Sequence, residues 1–404
     1  MNYDFPALSG DGVADDTAAI QARLDSGMSC VYLPPPEKCY RISAPLKLHS
    51  EQELKLDRYT RILLAPNSDC VMLTNADFKN GNTRLAVTGG IWDFDNTRQG
   101  PNFMLRHMAN PPLPEIPVNT PYNPDLYRGE VMYFENVSNM TVNGVTIRNP
   151  GTYAIQFCKL SYFVINDVEF DFTTWNPFKA NMDGIHLDGF CHHGKISNVR
   201  GTCFDDMVAL NANDGRCAAF QGEVSDIDID GIYCEYCHSA VRLLSTGAEL
   251  KRITIRNIHG NFYRYAVGLT HFFANRPTRG IFEDIVIADC FCGKAKQPTG
   301  ESLPWELCPL PLIFCDERID VGKLTVSNFC REENTDSTPS IIIQKDCRIR
   351  NLVIRDCHQH NGLNEPLVFL ENNGRTDTMI LENIQLEGNQ NILSVSGGES
   401  THRQ

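Results

Sequence analysis

One short pattern recurs along this chain and limits what it can fold into: apolar, any residue, Asn, Asp or Gly, apolar, any residue, and often apolar again. It stands at Val142-Asn143-Gly144-Val145, Ile165-Asn166-Asp167-Val168, Ile196-Ser197-Asn198-Val199, Ile229-Asp230-Gly231-Ile232 and Ile255-Arg256-Asn257-Ile258. Further copies are Phe282-Glu283-Asp284-Ile285, Val326-Ser327-Asn328-Phe329, Ile349-Arg350-Asn351-Leu352 and Leu381-Glu382-Asn383-Ile384. Successive copies start 23 to 44 residues apart, most of them 23 to 33. Each copy reads as two short strands in period-two alternation with a bend between them. Asn, Asp and Gly tolerate the left-handed backbone that a sharp bend requires. One unit cannot bury its apolar face alone, but units stacked at about 4.8 Å per layer bury a continuous column.

The expected fold is therefore all-β: a right-handed parallel β-helix, with long loop insertions and a capping helix at the N-terminus. Leucine-rich repeats, the rival solenoid, have a shorter, Leu-dominated period that is absent here. Asp15 to Leu24 reads as an N-capped amphipathic helix with Ile20 and Leu24 on one face. It suits the exposed first layer of a solenoid. The organisation expected is a single domain over residues 1–404, with a cap to about residue 50, coils over about 51–395 and a loose tail over 396–404. Three segments break the period, at Asn96 to Arg128, Thr173 to Lys179 and Gly293 to Pro311. Such insertions bulge as loops and commonly wall a binding face.

Charge and composition narrow the partners. With 36 basic and 50 acidic side chains the net charge is −14, which disfavours nucleic acid and anionic membranes. The 16 cysteines are scattered through apolar runs, as reduced core residues are, rather than packed into a short disulfide scaffold. Cys234 and Cys237 have the spacing of a zinc or redox pair, but no second pair matches it, so core packing is the reading taken. The opening residues carry no basic and apolar leader, which points to a cytoplasmic protein, or to a secreted one if a leader was trimmed. Side-by-side association into a homo-oligomer is compatible with such a fold.

The chemistry concentrates in Asn181-Met182-Asp183-Gly184-Ile185-His186 and Phe204-Asp205-Asp206. Asp183 and Asp205 are 22 residues apart, close to one short coil. Carboxylates stacked a coil apart have split proton affinities, and glycoside hydrolysis needs one protonated and one ionised carboxyl. Adjacent strand residues point to opposite faces, so Asp205 and Asp206 can share a groove only at a bend or bulge. By the same rule His186 turns away from Asp183 unless the chain bends.

This order, Asn-x-Asp-Gly, Asp-Asp about a coil later and His in the next coil, resembles glycoside hydrolase family 28, the polygalacturonases. Gly10 to Gln21 and Val142 to Pro150 also resemble segments of that β-helix superfamily. The likeness runs from about Phe5 to Leu393 and is strongest over Val137 to Thr246. It implies Asp205 as general acid, Asp183 and Asp206 as the water-activating pair, His238 as the active-site histidine, and an inverting reaction without cofactor or metal. The family's Gly-His-Gly is here Cys237-His238-Ser239, and its Arg-x-Lys segment falls on Val267 to His271 with both cations missing. Ordinary polygalacturonase specificity is therefore not expected.

Asn181, His186, Arg242, His271, Arg128 and Trp305 are candidate substrate contacts, with Arg106, His107, Tyr122 and Tyr127 as weaker ones. Arg242 lies at an even offset from His238 and would face the same side of a regular strand. Asp188, His192 and His193 could suggest a metal, but loop surface is the simpler reading. The expected partner is an oligosaccharide or polysaccharide of plant or microbial origin. The alternatives are a polysaccharide lyase on the same scaffold and a non-catalytic glycan-binding β-helix.

Overall fold

The computed structural model describes residues 4–100, 129–176, 181–213, 221–272, 277–296, 309–389 and 391–395. They form a right-handed parallel β-helix, with one short α-helix near the N-terminus. The described residues divide into two compact units. One holds the chain up to Leu187 together with Cys191–Phe204; the other holds Asp188–Phe190, residues 205–213 and the chain from Gln221 onward.

In the first unit, strands of successive coils pair in parallel. Cys30–Leu33 pairs Gln52–Leu56, which pairs Asn82–Thr88, then Met132–Asn143, Ile155–Asp171 and His192–Thr202. A second column runs through Tyr40–Ile42, Arg61–Leu64, Ile91–Asp93 and Thr146–Arg148. In the second unit one column runs through Val224–Cys237, Glu249–Phe262, Gly280–Lys294, Ile319–Glu333, Arg348–Asn361 and Arg375–Gly388. Another runs through Asp206–Asn211, Ser239–Leu244, Val267–Thr270, Ile313–Cys315, Ile341–Ile343 and Leu367–Asn372.

The repeat accounts for the core. Ile253, Ile255 and Ile258 are buried, and the step of three comes from Asn257, whose φ of 57° puts it in the left-handed region. One left-handed residue interrupts the alternation and returns the next apolar side chain to the inside. The coils above repeat this with Ile285, Ile287 and Cys290, then Leu324, Val326 and Phe329. Each aliphatic side chain so buried contributes roughly 1.5–3 kcal/mol relative to exposure. The bend residues bond across coils too: Asn257 Nδ2 donates to Asp230 Oδ1 at 2.6 Å and Asn328 Nδ2 to Asp289 Oδ1 at 2.7 Å.

Of the six repeat copies in the second unit, two sit on a different bend from the other four. Gly231, Asn257, Asp289, Asn328, Asp356 and Asn383 share one register position. Asp284 instead aligns with Arg252, and Asn351 with Lys323. That second corner is left-handed at Asp226, Arg252 and Asp284 and carries Lys323, Asn351 and Thr378 in the later coils, so it is less restricted to Asn, Asp and Gly.

The N-terminal helix spans Thr17–Leu24 with Ala19, Ile20 and Leu24 buried. Asp15 Oδ1 accepts from the first helical amide, Thr17 N, at 2.9 Å, while the Asp16 side chain caps no helical amide. That carboxylate accepts from Ser9 N at 2.6 Å and Arg41 N at 3.3 Å, tying the entry segment to the first coil. Among the described residues, no helix is long and apolar enough to cross a membrane. The described cysteines are free and most are buried. Cys234 and Cys237 are both buried; their mutual hydrogen bond, with burial, pushes the Cys234 thiol far up.

Candidate active site

The acidic pair follows a bend. Phe204 and Asp205 form it, and Asp206 begins the strand Asp206–Asn211. The geometric condition for both carboxylates to share a site is thus met. Among the described residues, Asp205, Asp206 and His238 are the group of His, Cys, Asp or Glu side chains whose ligand atoms all lie within 4.8 Å of one another. All three are buried.

The next coil supplies the imidazole. Ser239 stands opposite Asp206 in the parallel ladder, so His238 and Asp205, each one residue earlier, fall at the same level. His238 Nδ1 lies 3.3 Å from Asp205 Oδ1 and 2.9 Å from Ser239 Oγ. The Tyr263 ring meets the imidazole edge-on at 4.7 Å. Burial, reinforced by the positive charges of Arg264, Arg242 and Lys294, pushes His238 well below the usual histidine value and keeps it neutral near pH 7.

Asp206 pairs with a cation and accepts a hydrogen bond from a phenol. Arg242 Nε lies 3.0 Å from Asp206 Oδ2, with the two side chains 17% and 1% exposed. Arg242 is opposite Ala209 in the ladder, so its long side chain leans back along the strand to reach the carboxylate. The even offset from His238 read in the sequence does bring Arg242 to this cluster, as partner of Asp206. The Tyr265 hydroxyl donates to Asp206 Oδ1 at 3.2 Å. Burial and the charge of Asp206 raise the Tyr265 phenol, which stays protonated and a donor. A neighbouring cation and a phenol donor suit an ionised carboxylate, which accepts only.

Asp183 and His186 belong to the first unit, and Asp205, Asp206, His238, Arg242 and Tyr265 to the second. Asp183 Oδ2 lies 2.7 Å from His186 Nδ1, against the alternation rule that turns His186 away. The reason is local: Asn181 is left-handed at φ 53°, and Gly184 bends the chain before the strand Ile185–Leu187. The Asp183 carbonyl accepts from Ala154 N at 2.9 Å and that of Asn181 from Thr152 Oγ1 at 2.8 Å. The His186 ring stacks on Tyr153 at 3.7 Å, 11° from parallel. Phe204 N donates to the Met182 carbonyl at 3.3 Å, so the interval read from sequence is one coil.

The other candidates fall elsewhere. His271 is buried; its amide donates to Asp316 Oδ2 at 2.9 Å, and its ring Nε2 lies 2.9 Å from the Thr278 carbonyl. It braces a loop. His192 and His193 begin the strand His192–Thr202 rather than lying in a loop, with their Nδ1 atoms 2.7 Å apart. Arg128 and Trp305, like Arg106, His107, Tyr122 and Tyr127, lie outside the described residues. As a metal centre, the acidic cluster already has its charge offset by Arg242, which opposes a dication at Asp206. Sequence reasoning missed Tyr265, whose place three residues past the strand Glu249–Phe262 gives no periodic signal.

No protein-family model matches the chain, and no curated protein matches its sequence. Solved structures do match. The family 28 exopolygalacturonase of Yersinia enterocolitica aligns with a TM-score of 0.60 at 16% identity, covering 97% of this chain and 76% of that one. The A-module of a mannuronan C-5 epimerase from Azotobacter vinelandii aligns with a TM-score of 0.62 at 13% identity, covering 99% and 97%. A surface adhesin of Streptococcus pneumoniae aligns with a TM-score of 0.57 at 15% identity, covering 97% and 91%. What these structures share with the chain is the parallel β-helix fold. Its structural neighbours include family 28 hydrolases, an epimerase and an adhesin.

Proposed function

We propose that this protein is a glycoside hydrolase that cleaves an oligosaccharide or polysaccharide through Asp205 and Asp206. One observation carries the reading: two buried carboxylates and a neutral imidazole converge at a strand-entry bend. Asp206 has a cation and a phenol donor on it, and Asp205 has the imidazole of His238. Unequal environments are what divide a carboxylate pair into acid and base. Asp206, with Arg242 and Tyr265, is the ionised member that activates water. Asp205, facing neutral His238, delivers the proton to the leaving oxygen. Asp183 is assigned to the same reaction by its place in the family-like motif, one coil before Asp205.

The stereochemistry is a separate question. Asp205 and Asp206 lie no more than 4.8 Å apart by their nearest ligand atoms, closer than the roughly 6.5–9.5 Å usual between the acid and base of inverting enzymes. Inversion therefore rests on the family resemblance, and the first product anomer seen by NMR decides it. The substrate is not an ordinary polygalacturonate on this reading, because the segment Val267 to His271, where the family's Arg-x-Lys would fall, has neither cation.

The test is a screen of neutral and uronic oligosaccharides, followed by NMR for the anomer and by ultraviolet absorbance for an unsaturated product. New reducing ends without absorbance are expected, and Asp205→Asn should abolish them. An absorbing product would make the protein a lyase. Hydrolysis unchanged in Asp205→Asn would overturn the assignment of the acid. Glycan binding without turnover would leave a binding module.

A further inference from the structure

Lys294 ends the strand Gly280–Lys294 opposite Phe262 and is 3% exposed. Its ammonium donates to three backbone carbonyls, those of Tyr263 at 2.9 Å, Arg264 at 2.6 Å and Leu310 at 2.7 Å. An ammonium has three protons and no acceptor, so each proton is matched. Two of the three carbonyls belong to the segment Tyr263 to Tyr265, which is where the following coil meets the acidic cluster. The Tyr263 ring lies against His238, Arg264 N donates to the His238 carbonyl at 3.0 Å, and the Tyr265 hydroxyl reaches Asp206.

We infer that Lys294 is a positioning residue for the Asp205, Asp206 and His238 cluster, acting by clamping the segment Tyr263 to Tyr265 against it. The inference rests on the reading of that cluster as the reactive site. On its other side the segment bonds to the preceding coil, through Tyr263 N to the Cys237 carbonyl at 3.2 Å and Ala240 N to the Tyr265 carbonyl at 3.3 Å. Lys294 satisfies the Tyr263 and Arg264 carbonyls, so the segment that carries Tyr265 is held from both sides. Lys294 in turn has support: its amide donates to Glu333 Oε2 at 3.2 Å, and Glu333 is held by Arg331 Nε at 2.8 Å. Arg331 is itself fixed by Ser340 Oγ and the Thr338 carbonyl, both at 2.8 Å, and by the Asp336 carbonyl at 3.0 Å.

The clamp has a pH limit. The charged groups around Lys294 are Arg331 and Glu333 on the next strand, Asp336 in the loop after it, and Arg264 in the clamped segment. Burial, with the repulsion of Arg331 and Arg264, outweighs the attraction of Asp336 and Glu333 and lowers Lys294 to about 7. Above that pH the amine has two protons for three carbonyls. His238 is faced by Asp205, Arg242, Arg264 and Lys294, and it would report the loosening.

The experiment needs no substrate. The full chain is labelled with carbon-13 and nitrogen-15 at histidine and lysine, and His238 is assigned among the 11 histidines with His238→Gln. In the wild type, His238 signals should shift in step with the Lys294 titration. In Lys294→Met, with the fold checked by circular dichroism, the His238 titration should move up by at least about half a pH unit as one cation leaves and water gains access. A His238 titration identical to wild type in Lys294→Met, or His238 signals that stay flat through the Lys294 transition, would overturn the inference. If Lys294→Met does not fold, the wild-type titration alone decides. Coupled shifts in a protein that hydrolyses nothing would sink the hydrolase reading and leave the clamp standing.

Discussion

Arg242 sits 3.0 Å from Asp206, although the ladder places it opposite Ala209, three residues further along the strand. A guanidinium reaching back to a carboxylate that is almost wholly buried sets the charge of the site. It also makes the pair sensitive to loss of either partner. Arg242→Leu should destabilise the protein by about 3 kcal/mol, the low end for a buried pair that loses one member. Arg242→Leu combined with Asp206→Leu should recover much of that loss. Urea denaturation of the three variants at pH 7 measures both.

Tyr265 contributes one hydroxyl to the same carboxylate. Tyr265→Phe should leave the thermal midpoint within a few degrees of wild type, since a single hydrogen bond is worth about 0.5–1.5 kcal/mol. Hydrolysis of whichever oligosaccharide the screen identifies should fall about tenfold in kcat with KM little changed. Steady-state kinetics on that sugar checks the split, and a change confined to KM would place Tyr265 in substrate binding instead.

The neutral state of His238 has a consequence for acid stability. Its folded value is depressed below the ordinary 6.5, so under acid the unfolded chain takes up a proton that the folded chain refuses. The stability this residue allows is fully present above about pH 6.5 and is lost as pH falls, until the folded imidazole also protonates. His238→Gln should therefore flatten the curve. The difference in unfolding free energy between wild type and variant should shrink as pH drops from 6.5, by up to about 1.4 kcal/mol per pH unit. Denaturation at pH 7.5, 6.5 and 5.5 measures the slope, and parallel curves for the two proteins would contradict it.

Two glycines should respond differently to alanine. Gly201 has φ 100°, and an added Cβ would meet the Phe170 carbonyl oxygen at 2.2 Å; Gly27 has φ 79° with open space around it. Gly27→Ala should cost about 1 kcal/mol for the left-handed backbone alone. Gly201→Ala should cost that plus about 1–3 kcal/mol for crowding a packed layer. Thermal denaturation of the two variants compares them directly.

The coil architecture was legible because burial repeats at every layer. Ile253, Ile255 and Ile258 announce two strands and a bend, and the next coils repeat the message. Which bend a copy occupies was not legible, since Asp284 and Asn257 look alike in sequence while standing on different corners. The pairing of Asp183 with His186 could be read only as conditional on a bend, for a related reason. The alternation rule assumes an extended chain, and the left-handed Asn181 with the bend at Gly184 removes that assumption.

The sequence by itself determined the β-helix, the one-coil interval from Met182 to Phe204, and the residue types of the acidic cluster. These depend on local periodicity and on the backbone tolerances of Asn, Asp and Gly. Only the tertiary structure decided that Arg242 and Tyr265 both close on Asp206, that His238 is stripped of its charge, and that Lys294 fastens the segment carrying Tyr265. Those relations join residues 30 to 60 positions apart through side-chain reach and burial. Neither leaves a period in the sequence, because each is made once, at one layer of the stack.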